Sequence, residues 1–273
     1  MRNHFQNLRI CTSLWLAASA SFVVPQSAWA GTPPGCWAQV NGATNTTTSA
    51  HNVTPYSVTL SNALTNPSII VVAITNVGST VLNTPSDTAG NTYIDYTGSA
   101  TNAGKINTGS GNAWSMNLYY ALNTSTVSNT ITETAPGSGG QISINAEEWT
   151  GGVTSSPLDQ KTVVSNVSIG GATGQNISMG FTTTQGGELI FALIQPENGQ
   201  PIQGPSWPGP QWCAFPSGES CSTDGYQFIA TAVQRAKGAF AGTWSDSDTS
   251  DVYSGIMMSL KGKVCNPPHA GIM

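Results

Sequence analysis

The chain has 273 residues, of which only 8% are Asp, Glu, Lys or Arg, and a formal net charge of −5. Its few Lys and Arg form no cluster, which argues against nucleic acid or anionic membrane as a partner, since both are bound by grouped cations that displace counterions. No apolar stretch after Val24 approaches the ~20 residues of a spanning helix, so no membrane insertion is expected. Abundant Thr with regular apolar runs is also unlike a disordered composition.

Taken in chain order, Arg2 and Arg9 make a basic start, residues 10–24 are apolar, and Ala28-Trp29-Ala30 is a small-x-small cleavage signal. Residues 1–30 are therefore expected to be a secretory signal peptide, and residues 31–273 a single domain that is secreted, periplasmic or held at the cell surface. Cleavage would discard Cys11 together with Arg2 and Arg9, leaving 6 cationic residues against 13 acids, a formal charge of −7. Four cysteines would remain, and four allow three connectivities in an oxidising compartment. The expected bridges are Cys213 with Cys221, closing a short loop, and Cys36 with Cys265, tying the first strand to the segment after the last. No C-x-x-C occurs, and only His51 and His269 would remain, so a zinc site is not indicated.

Residues 114–122 alternate, with Trp114, Met116, Leu118, Tyr120 and Leu122 on one side, which predicts a strand with one buried face. Tyr56, Val58 and Leu60 repeat the pattern, as do Ile256, Met258 and Leu260. Residues 69–74 and 189–194 are continuous apolar runs and are expected to be central strands covered on both faces. Turn residues at Asp87-Thr-Ala-Gly90-Asn91, Gly170-Gly171 and Gly186-Gly187 separate the runs. Roughly a dozen strands and no sustained helical period point to an all-β fold. The simplest form is one antiparallel, two-sheet, jelly-roll-like β-sandwich of the concanavalin type, clamped by disulfides. No internal repeat is visible.

One segment breaks this rhythm. Residues 195–225 contain six prolines and two tryptophans without a strand pattern, far beyond the usual ~4–6 residues of a connection. Trp207, Trp212 and Phe215 offer aromatic planes that stack on sugar rings, and Gln211 and Gln203 offer amides for sugar hydroxyls. The competing reading is that these rings hold the loop onto its own sandwich.

In Gln141-Ile-Ser-Ile-Asn-Ala-Glu-Glu-Trp149 the alternation places Glu148 with Ile142, Ile144 and Ala146, and turns Glu147 and Trp149 the other way. A core-side carboxylate is costly unless hydrogen-bonded, and desolvation raises its pKa as a general acid requires. Glu148 is thus a candidate catalytic acid, with Asp95, Asp159 or Glu188 as possible second carboxylates; a satisfied structural carboxylate is the alternative. Asp246, Asp248 and Asp251 could hold Ca2+ or simply form an acidic hairpin turn, and Asp87 with Asn91 presents the same choice. G-x-S-x-G, H-E-x-x-H, Walker and dinucleotide motifs are absent.

Asp87, Gly90, Asn91, Thr92 and Tyr93 form D-x-x-G-N-T-Y. Tyr119, Tyr120 and Ala121 follow as Y-Y-A, then Glu148, Trp149, Thr150 and Gly151, then Pro157, Leu158 and Asp159. In these motifs the chain resembles secreted bacterial β-sandwich domains carrying D-x-x-G-N-T-Y, Y-Y-A and E-[WY]-[ST]-G. The resemblance implies a jelly-roll-like sandwich at or beyond the cell surface, and it brings no activity with it. Three functions stay open: a non-catalytic glycan or surface-ligand binder acting through the aromatic loop, a carbohydrate-active or acid hydrolase using Glu148, and a purely structural surface component.

Overall fold

Strands form where the period-two alternation and the apolar runs predict them. The computed structural model describes residues 37–46, 56–60, 67–77, 82–96, 114–125, 129–134, 142–168, 175–196, 202–206, 211–212, 228–246 and 252–263. Among them are sixteen strands, all paired antiparallel, and no helix.

The first eight strands are β1 (Ala38–Thr46), β2 (Tyr56–Leu60), β3 (Ser68–Val77), β4 (Ser86–Asp87), β5 (Ile94–Asp95), β6 (Trp114–Asn123), β7 (Asn129–Glu133) and β8 (Ile142–Thr150). They make a five-stranded sheet in the order β1-β8-β3-β6-β5 and a three-stranded sheet in the order β2-β7-β4. The last eight are β9 (Leu158–Ser168), β10 (Gln175–Thr182), β11 (Glu188–Pro196), β12 (Ile202–Ser206), β13 (Gln211–Trp212), β14 (Phe228–Gln234), β15 (Ala239–Asp246) and β16 (Val252–Leu260). Their sheets run β9-β16-β11-β14-β13 and β10-β15-β12. Adding eight to every strand number of the first half gives the second half.

The sandwich therefore has four sheets in two topologically equivalent halves, where the sequence suggested two sheets and no repeat. Topology depends on which strands pair, and strands of different sequence can satisfy the same pairing, so the repeat leaves little trace in the residues.

Three apolar layers hold the sheets together. Tyr56, Val58, Leu60 and Ile131 of the first small sheet meet Ile70, Val72, Ile74 and Ile144 of the first large sheet. The other face of that large sheet, with Ile69, Val71, Leu118 and Trp149, meets Leu189, Phe191, Ile256 and Met258 of the second large sheet. The far face of the second sheet, with Ile190, Ala192 and Met257, meets Met179, Phe240 and Trp244. Both large sheets are thus covered on both sides. The continuous apolar runs of β3 and β11 lie in the middle of their sheets, as expected. The same sandwiching buries both faces of β6 and β8, whose alternation had suggested one buried face.

The two halves are fastened at one end. Gly152 and Gly262, each two residues beyond the end of β8 and β16, form an antiparallel bridge. It is flanked by Val153 N–H to Lys261 O (3.0 Å) and Lys263 N–H to Gly151 O (2.7 Å). Trp37 donates its indole N–H to Gly187 O at 2.8 Å, and Trp149 meets Phe191 edge-to-face at 6.0 Å. Gly152 has no space for a side chain, since a Cβ there would meet Ile69 and lie 2.6 Å from the Trp37 ring.

Segment 195–225 also differs from the sequence reading, because β12 and β13 form within it. Both are edge strands, and the β12–β15 pairing is irregular between Gln203 and Ser206, which brackets Pro205. An edge or a bulge is where a strand accommodates proline.

Candidate functional site

The residues of the D-x-x-G-N-T-Y motif build one hydrogen-bonded turn. Asp87, at the end of β4, accepts from Asn91 N–H (2.9 Å) and Asn91 Nδ2 (2.8 Å). It also accepts from the Tyr93 hydroxyl (2.8 Å) and Asn129 Nδ2 (2.7 Å). Gly90 sits at φ +75, a conformation that favours glycine. Asn129 returns the contact by accepting from Thr88 Oγ1 and Ala89 N–H. Burial alone would raise the Asp87 carboxyl; the donations of Asn129, Asn91 and Tyr93 outweigh it and hold the group below its ordinary range.

Glu148 joins the same construction. It faces the layer between the first two sheets, is fully enclosed, and accepts from the Ser68 hydroxyl at 2.5 Å and Asn123 Nδ2 at 3.1 Å. Asn123 also accepts from Asn91 Nδ2 at 3.4 Å, so Glu148 and the Asp87 turn are one network joining β3, β6 and β8 to the small sheet. The Y-Y-A motif behaves alike, with the Tyr119 hydroxyl donating to Asn83 O at 3.2 Å. In the P-L-D motif, Asp159 accepts from both the backbone and the hydroxyl of Thr184 and lies 3.8 Å from the Lys261 ammonium. These residues tie strands together, and Glu148 does so through Oε1, its Oε2 being enclosed. Asp95 is buried on β5 opposite Tyr119.

Three other carboxyls are perturbed, one in each apolar layer. Glu133 pairs in register with Tyr56 in the first layer, Glu147 shares the Trp149 face in the second, and Glu188 shares the Ile190 face in the third. Each is 1% exposed or less. One oxygen of each accepts a bond, from Asn83 N–H, Trp149 Nε1–H and Gln185 N–H respectively, and Glu188 also engages Ser259 and Asp159; among the described residues the other oxygen of Glu133 and of Glu147 is enclosed without a donor. Burial pushes Glu133 up to about 7 against the Asn83 donation, and Glu147 up to about 8 against that of Trp149. Burial, reinforced by the neighbouring Asp159, pushes Glu188 up to about 7 despite a bond with Ser259. Protonation removes the charge that burial penalises and turns the enclosed oxygen into a neutral O–H. Asp159 moves the opposite way: burial would raise it, while the Thr184 donations, the hydrogen bond shared with Glu188 and the Lys261 charge hold it low.

In the sequence Glu148 stands out on the apolar face, whereas Glu147 and Glu133 do not. The available signal was Trp149, two residues beyond Glu147 and hence on its face, which marks that second face as buried too.

The aromatic segment occupies a definite place in the topology. In the first half, β4 and β5 are joined through the Asp87 turn. In the second half their equivalents, β12 and β13, are joined by residues 207–210, Trp-Pro-Gly-Pro. Gln211 and Trp212 form β13, opposite Ala232 and Thr231 at the edge of the second large sheet. Trp207 and Phe215 lie outside the described residues, as do residues 1–36, Cys213, Cys221 and Cys265, and Asp248 and Asp251. Asp246 ends β15 opposite Gln175 and Ile202. Among the described residues no group of three or more His, Cys, Asp or Glu could hold a metal ion, and no helix is long and apolar enough to cross a membrane.

In comparison with known proteins, no family model, no curated sequence and no solved structure matches the chain.

Proposed function

We propose that this is a secreted, non-catalytic β-sandwich protein that binds glycan or another surface ligand through the segment from β12 to Phe215. The observation that supports the reading is the unequal use of one topological position. The connection that the first half fills with the self-satisfied Asp87 turn is filled in the second half by a Trp-Pro-Gly-Pro sequence leading into an edge strand that contains Trp212. Prolines stiffen such a segment before binding, which lowers the entropy lost when its rings engage a ligand. Gln203 and Gln211 are the amides nearest in sequence to those rings.

Each half is read as a jelly roll whose short fifth strand has moved to the larger sheet, an assignment that rests on strand order. Within this proposal the Cys213–Cys221 bridge closes the loop next to Trp212, the Cys36–Cys265 bridge joins the chain ends, and residues 1–30 direct export.

A glycan array probed with the wild-type protein and with Trp207→Ala/Trp212→Ala tests the reading. Selective signals that disappear in the double variant are expected; signals equal in both proteins, or no selective signal from either, would exclude it.

A further inference from the structure

The interface between the two halves is apolar at one end and gains buried polar residues toward the other. At the fastened end Trp37, Ile69 and Trp149 meet Leu189, Phe191 and Leu260. Further along the same faces the pattern changes. Thr75 follows Ala73 on β3, and Asn145 and Ser143 lie opposite Ala73 and Thr75 on β8. On the second sheet Gln195 follows Leu193, and Ser254 lies opposite Gln195. All five are buried. Glu147 stands where the apolar part gives way to this polar part, opposite Val71 and Gly42, and among the described residues Trp149 is its single hydrogen-bond donor.

We propose that the two halves form a proton-locked joint: Glu147, enclosed between the large sheets and bonded through one oxygen, keeps them closed when neutral and parts them when ionised. Among the described residues an ionised carboxylate in this position gains one indole N–H and no cation, so separating the sheets to admit water lowers its energy. The fastened end, with its Gly152–Gly262 bridge, serves as the hinge, and each half keeps its own core between its large and small sheets.

The titratable side chains sharing this layer among the described residues are few. Tyr96 and Tyr120 are raised first by burial and then by the Asp95 charge, so both are neutral throughout the relevant range. Lys161 lies opposite Met258 on the exposed edge strand β9. Glu148 and Asp95 face the other layer. Burial pushes the Glu147 carboxyl up to about 8, so the lock acts at mildly alkaline pH.

The test follows the full chain from pH 6 to pH 9.5 by small-angle scattering, with near- and far-ultraviolet circular dichroism alongside. The wild type is expected to expand and to lose near-ultraviolet signal with a midpoint near pH 8, while its far-ultraviolet strand signal persists. Glu147→Gln should remove that transition, whereas Glu133→Gln and Glu188→Gln should retain it. Trp149→Phe, which keeps a ring and deletes the donor favouring the charged form, should move the midpoint upward. An unchanged wild-type radius up to pH 9.5, or the same midpoint in Glu147→Gln or Trp149→Phe as in the wild type, would overturn the proposal.

Discussion

Asp87 gathers four donors onto two oxygens, three of them onto Oδ2, so its removal strands the amides of Asn91 and Asn129 and the Tyr93 hydroxyl in a partly buried site. Unsatisfied polar groups of this kind each cost about 1–3 kcal/mol. Asp87→Ala is therefore expected to lower the unfolding free energy by about 2–4 kcal/mol. Asp87→Asn can keep an oxygen at the three-donor position and should cost less than half as much; urea denaturation of both variants measures the difference. Equal losses would mean that packing, not acceptance, is the role of Asp87. Glu148 reaches the same network through Asn123, which explains how residues far apart in the sequence share one structural task.

At the scale of elements, the close approach at Gly152 decides how the halves meet. A Cβ there collides with Ile69 and Trp37, both buried at the fastened end, so Gly152→Ala should cost about 1–3 kcal/mol as an overpacked site does. Thermal denaturation checks this against Gly90→Ala, where no atom lies within 4 Å and only the positive φ opposes the change. The strands themselves were legible: β2, β3, β11 and β16 lie on the segments whose alternation or apolar runs announced them. Pairing was not, because a strand's own residues state which face is apolar and not which strand lies beside it. That is why the order shared by β1–β8 and β9–β16 escaped a reading of the sequence, and why β8, with polar residues on a face that a second sheet covers, seemed to have one buried side. Of the candidate site, the aromatic segment was visible through its prolines, whereas its two edge strands were hidden by the same prolines.

For the whole molecule, the buried acids set the pH dependence of stability. Glu133 and Glu188 titrate at about 7 and Glu147 at about 8 in the fold, against 4.5 for the ordinary carboxyl, so the folded state holds protons that the unfolded chain releases. Their contribution is complete below about 4.5 and is lost as pH rises through the folded values. Asp87 and Asp159, held below 3.8, act in the opposite sense: their contribution is present above that value and is lost as pH falls through their lowered folded values. Stability should peak near pH 4–5, with a melting temperature at pH 8 at least about 5 °C lower than at pH 5; a flat profile, or a maximum above pH 7, would contradict this. The two halves differ at the shared position, where only the second has Trp-Pro-Gly-Pro. Calorimetric titration of an array-selected oligosaccharide into the wild type, Trp207→Ala/Trp212→Ala, and a first-half control, Ile94→Ala at the exposed β5 position, tests the proposed binding most directly. A loss of affinity of at least about 30-fold is expected for the double variant, the size typical of central aromatic anchors, with wild-type affinity retained by Ile94→Ala; equal affinity in the double variant and the wild type would contradict a binding role for these rings.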